Sequence, residues 1–134
     1  MPAAVHAAAI LWYGPMAGYV LLAVVAGLFA VLRRSLPGWF WVFSLAALVL
    51  VAVQAVAGVV LFLGGARPDR SLHVLYGLLA LAGGLIQHAL RPGGRVRRAF
   101  VREVAWGEAR TLALVSLTQA ALLMRAWMTG LGAR

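Results

Sequence analysis

The chain has no cysteine, every one of its cationic side chains is an arginine, and its acidic residues are only Asp69, Glu103 and Glu108. The absence of thiols excludes structural disulfides, thiolate metal sites and thiol–disulfide exchange across a membrane. Proton-coupled export by a four-span dimer needs a carboxylate deep in the membrane. Here Glu108 stands at a helix start and Glu103 in a basic stretch. No paired carboxylates, no nucleophile with a base beside it and no phosphate-cradling loop appear. Three histidines without a thiolate leave little for zinc. The expectation is a protein that is not an enzyme.

Charge itself is scarce. Charged residues make up 11% of the chain, against roughly a quarter in a soluble domain. Hydrophobic residues make up 64%. They fall into runs from about Pro15 to Leu32, Trp39 to Leu63, Leu72 to Leu90 and Ala109 to Thr129. Each approaches the ~20 apolar residues that a helix needs to cross a bilayer. The predicted fold is all-α: an integral membrane four-helix bundle with short loops, one four-span transmembrane domain over residues 1–134.

The N-terminus lacks a basic n-region and its apolar run continues too long for a signal peptide, so it is expected to be retained. Pro15 suits a first helical turn, where a missing N–H costs nothing. Residues 3–13 either extend that helix outward or lie along the interface after a bend at Gly14-Pro15. Trp12, Tyr13, Trp39, Phe40 and Trp41 read as interfacial anchors. Asp69 or Ser71 can cap the third helix. After Gly94, Val96, Phe100 and Val104 fall on one face and Arg95, Arg98 and Arg102 opposite, which predicts an amphipathic helix on the headgroups before the fourth span. Gly77, Ala80 and Gly84 share a side of the third span, which is expected to be the most buried helix. Gln54 and Gln119, both near mid-membrane, are expected to hydrogen-bond to each other.

A net charge of +9 would point to nucleic acid in a soluble protein. Most of these arginines instead flank apolar runs, and no soluble part exists to carry such an interface, so no nucleic acid is expected. The partners implied are anionic lipid headgroups, through Arg91, Arg95, Arg97, Arg98 and Arg102, and other membrane subunits or a second copy. Arg33 and Arg34 lie on the same side as that basic loop. The other side holds Arg67, Arg70 and Arg134, with Arg125 reaching towards it. Positive charge stays in the cytoplasm, which predicts a multi-pass protein of the cytoplasmic membrane with both termini outside.

The stretch from Arg67 to Arg91 holds His73 and His88, one at each end of the third apolar run. They stand about 22 Å apart on a helix and cannot share a small ligand. His88, beside Gln87 and Arg91, reads as an interfacial polar end. His6 and His73 fall on the same side of the membrane. Two imidazoles from different helices at one depth can be the axial pair of a b-type haem, with Arg67, Arg70 and Arg125 available to its propionates. On a straight first helix His6 would stand about 13 Å above His73, so the pair requires a bend, expected at Gly14-Pro15.

The tract Gln54-x3-Gly58, Gly64-Gly65-Ala66-Arg67-Pro68 and His73-x3-Gly77 resembles small uncharacterised four-span proteins of GC-rich bacteria. More loosely, it is similar to the helix-pair pattern of haem A synthase, where a histidine begins a span. The chain lacks the second securely placed histidine of such a synthase half, so the resemblance implies no activity and no residue role. The leading expectation is a non-catalytic bundle acting through helix–helix contacts, as an accessory subunit or by self-association. The alternative is a b-type haem protein passing electrons near the outer face.

Overall fold

The computed structural model describes residues 6–67, 71–94, 96–97 and 105–130. Its helices are α1 (Ala9–Val31), α2 (Gly38–Leu63), α3 (Ser71–Ala89) and α4 (Ala105–Gly130), each with a segment long and apolar enough to cross a membrane. The chain is a multi-pass, all-α membrane protein. Each helix turns one stripe inward at steps of three and four residues, the period of a helix face. On α1 the stripe is Pro15, Tyr19, Leu22 and Ala26, and on α4 it is Leu112, Ser116, Gln119, Leu123 and Ala126. The remaining faces expose leucine, valine and phenylalanine. That is the arrangement expected where lipid, not water, surrounds the bundle.

The helices form a closed ring: α1 packs on α2 and α4, and α3 packs on the same two. The N-termini of α1 and α3 therefore share one end of the bundle with the C-termini of α2 and α4. This is the histidine end, holding His6 and His73. The short connections fit the up-down topology. After α1, Arg33 adopts φ 52°, and Arg34 N–H donates to Phe29 O at 2.9 Å. After α2, Gly65 adopts φ 93°, and Ala66 N–H donates to Leu61 O at 3.0 Å. Both ends close in the left-handed way that favours glycine, and Arg33 does so with a side chain.

Of the two readings of residues 3–13, the helical extension holds for residues 9–13, since α1 begins at Ala9. Two expectations change. Helix α1 passes through Pro15 without the expected bend at Gly14-Pro15. The chain turns instead at Ala8, whose ψ of 123° is extended. The third span is the least buried helix, and α4 is the most buried. Helix α3 is the shortest, and a Cβ added at Gly77 would meet nothing. Ala80 and Gly84 do face the core. Most of the expected amphipathic stretch, with Arg95, Arg98 and Arg102, lies outside the described residues, as do Arg70, Asp69 and Arg134.

Candidate functional site

At the histidine end three rings meet. The His6 and His73 ring centroids are 5.9 Å apart with the planes near perpendicular, and the Trp12 ring lies 5.5 Å from His6 and 5.9 Å from His73. The turn at Ala8 brings His6 over the bundle, and two side chains fasten it there. Trp12 Nε1 donates to the His6 carbonyl at 2.7 Å, and Gln54 Nε2 donates to the same oxygen at 2.8 Å. Gln54 and Gly58 lie one turn apart on α2, on one face. A Cβ at Gly58 would stand 3.3 Å from His6 Cε1, so the absent side chain makes room for the ring.

His73 is held from α4. Its Nδ1 lies 2.9 Å from the Ala126 carbonyl oxygen. A carbonyl only accepts, so Nδ1 carries the proton and Nε2 keeps its lone pair. A Cβ at Gly130 would stand 2.9 Å from His73 Cε1, so this glycine too clears space for an imidazole. Burial holds His6 below the usual histidine range, and the neighbouring His73 pushes it the same way against an opposing pull from Gln54. His6 Nδ1 is buried without a hydrogen-bond partner. Two imidazoles that share one ion through metal–nitrogen bonds of about 2.0–2.1 Å have ring centroids roughly 6 Å apart. The 5.9 Å spacing is compatible with a shared ion and is equally that of an edge-to-face aromatic pair.

The arginines are placed less favourably. Arg67 donates to Phe62 O at 2.7 Å and to Ala66 O at 3.2 Å, with its guanidinium 4.2 Å from the Phe62 ring centroid. It is committed to the C-terminus of its own helix. Arg125 is exposed on α4. At the opposite end Arg97 pairs with Glu108 and donates to Leu90 O at 3.2 Å. It is thus turned to the bundle although expected among the headgroup-facing arginines. Arg91 is exposed and caps His88 O at 3.1 Å. His88 sits at this far end, across the bundle from His73.

A second polar group occupies the interior. Gln87 Nε2 donates to Ser44 Oγ at 3.2 Å and to Ser116 Oγ at 3.1 Å, linking α3 to α2 and α4. Gln119 Nε2 donates to Ala80 O at 3.1 Å. Tyr19 comes in from α1, and its hydroxyl would be 3.0 Å from a Cβ at Gly84. The expected Gln54–Gln119 bond is absent because α2 and α4 occupy opposite corners of the ring; each amide bonds elsewhere. In the sequence Gln87 figures only as a neighbour of His88, with no role of its own; a helical side chain leans towards its own N-terminus, which carries this amide inward.

No protein-family model, curated protein or solved structure matches the chain.

Proposed function

We propose that the protein sits in the cytoplasmic membrane with both termini outside, and that His6 and His73 form a bis-imidazole metal centre at its outer end. In this reading the centre holds a b-type haem and passes electrons at that face. One observation carries it: two imidazoles from different parts of the fold meet at 5.9 Å, one of them with its tautomer fixed by a backbone carbonyl. Histidine ligands commonly donate their other ring nitrogen in this way. Arginine counting supports the orientation, because Arg33, Arg34 and Arg91 stand at the end opposite the pair.

Trp12 sets a condition on the ligand. The indole packs against both imidazoles, so a macrocycle needs it to swing aside, whereas a bare ion does not. Imidazole suits copper and iron alike. Purification after growth with ample haem, followed by an absorption spectrum and metal analysis, separates the two. A low-spin Soret band supports haem, bound copper supports the bare ion, and neither removes the centre.

Gly77 favours a second reading. It lies on α3, and a Cβ there would meet nothing within the chain. A small residue on an open helix face suits close approach by another helix. On this reading the bundle acts through contacts with other membrane subunits or with itself. Neither reading gives the chain an enzymatic step.

A further inference from the structure

Helices α1 and α4 enclose a groove of 590 Å³ on the outside of the bundle. Its wholly apolar lining includes Met16, Ala17, Val20, Leu117, Ala121 and Met124. The alanines recess its floor, while Val20, Leu117 and Met124 are about half exposed along its rim. Towards the histidine end its mouth changes character. Tyr13, one turn from Ala17, packs at a tilt against Trp127 with ring centroids 5.6 Å apart. Arg125, one turn from Ala121 on the same face of α4, is exposed at this end, on the other side of the helix from Trp127.

The arginine is the feature that needs a partner. It lies about 8 Å short of the end of α4, within a membrane-spanning helix. A guanidinium at that depth extends towards the interface and seeks a counter-charge. Among the described residues the one carboxylate side chain, Glu108, is paired with Arg97 at the far end of the bundle. We propose that the groove binds one anionic phospholipid, with an acyl chain along α1 and α4 and the phosphate on Arg125. A phosphate matches the guanidinium fork bidentately, and aromatic rings are at home at headgroup depth. The assignment is independent of the histidine centre.

The test uses the full chain purified in a mild detergent. It is titrated with phosphatidylglycerol or with phosphatidylcholine of the same acyl chains, and retained lipid is counted by native mass spectrometry. One phosphatidylglycerol per chain should be retained, about fivefold more tightly than phosphatidylcholine, whose choline cation offsets the same phosphate; fivefold is the effect of roughly one arginine near a net anionic headgroup. Arg125→Gln should erase that preference, while Arg110→Gln, an exposed arginine near the other end of α4, should leave it. Ala121→Phe, which fills the groove, should weaken both lipids. Equal retention by the wild type, or a preference that survives Arg125→Gln, overturns the proposal. So does an Ala121→Phe variant that keeps its lipid but loses a dimer, since a second copy would then occupy the groove.

Discussion

His73 donates from Nδ1 to the Ala126 carbonyl oxygen at 2.9 Å, and this bond determines which ring nitrogen is free. It ties the start of α3 to the last turns of α4, aims the imidazole, and leaves Nε2 as the basic nitrogen. The other imidazole reaches the same place by another route. His6 lies ahead of the break at Ala8 and is drawn down by donors from Trp12 and Gln54. The pair is thus built from backbone carbonyls and two flanking glycines.

Gly130 offers a test of that aim that removes neither ligand. A Cβ there would stand 2.9 Å from His73 Cε1 and 3.0 Å from Nδ1. Gly130→Ala should therefore push the ring off the Ala126 carbonyl and weaken metal binding by about 10–100-fold, the usual effect of losing an outer-shell partner. Binding titrations on detergent-purified protein would show it, with circular dichroism expected to remain helical.

Two glycines of α3 should respond oppositely to enlargement. At Gly84 a Cβ would stand 2.9 Å from Leu48 Cδ1 and 3.0 Å from the Tyr19 hydroxyl, whereas at Gly77 it would meet nothing. Gly84→Leu should destabilise the bundle by about 1–3 kcal/mol, as overpacking does. Gly77→Leu should leave the thermal melt of the monomer in detergent unchanged. A melt unmoved by Gly84→Leu would contradict the packing around Tyr19.

Much of this fold was legible in the sequence, because length and hydropathy alone set where a chain can cross a bilayer. Helices α2 and α3 fall within a residue of the runs read from composition. Each misreading has its own physical cause. Pro15 looked like a helix start because proline lacks an N–H, yet the apolar residues from Ala9 to Tyr13 continue the span and the chain turns at Ala8, which carries no such signal. Gln54 and Gln119 looked like partners because they share a depth, but depth does not reveal which corners of the ring two helices occupy. The histidine pair was legible as a possibility of topology. Its orienting Ala126 carbonyl is a backbone feature that no residue type announces, and Gly58 and Gly130 do not tell from sequence which side chain fills the space they leave.

Acidification should release the N-terminal segment. Docking holds His6 below the ordinary histidine pKa of about 6.5 through burial, with the adjacent His73 adding to the effect. The released segment therefore binds the proton first. Docking is fully favourable above the ordinary pKa and weakens as pH falls below it. Hydrogen exchange in residues 6–12, corrected for intrinsic rates, should accelerate between pH 7 and about 5. His6→Gln should flatten that dependence.

The orientation is open to thiol labelling, since no native cysteine interferes. Ser35 and Ala66 are exposed in turns at opposite ends of the bundle. Ser35→Cys should react only with reagent that reaches the cytoplasm, and Ala66→Cys with impermeant reagent outside. The reverse pattern would invert the protein and place the histidine pair inside.

The most direct measurement is the visible spectrum of the protein purified after growth with ample haem, beside His6→Ala, His73→Ala and His88→Ala. The wild type should show a low-spin Soret band, lost with His6 or His73 and kept with His88, which stands at the other end of α3. A band that survives His73→Ala would contradict the assignment, and a wild type that binds neither haem nor copper would remove the metal centre altogether.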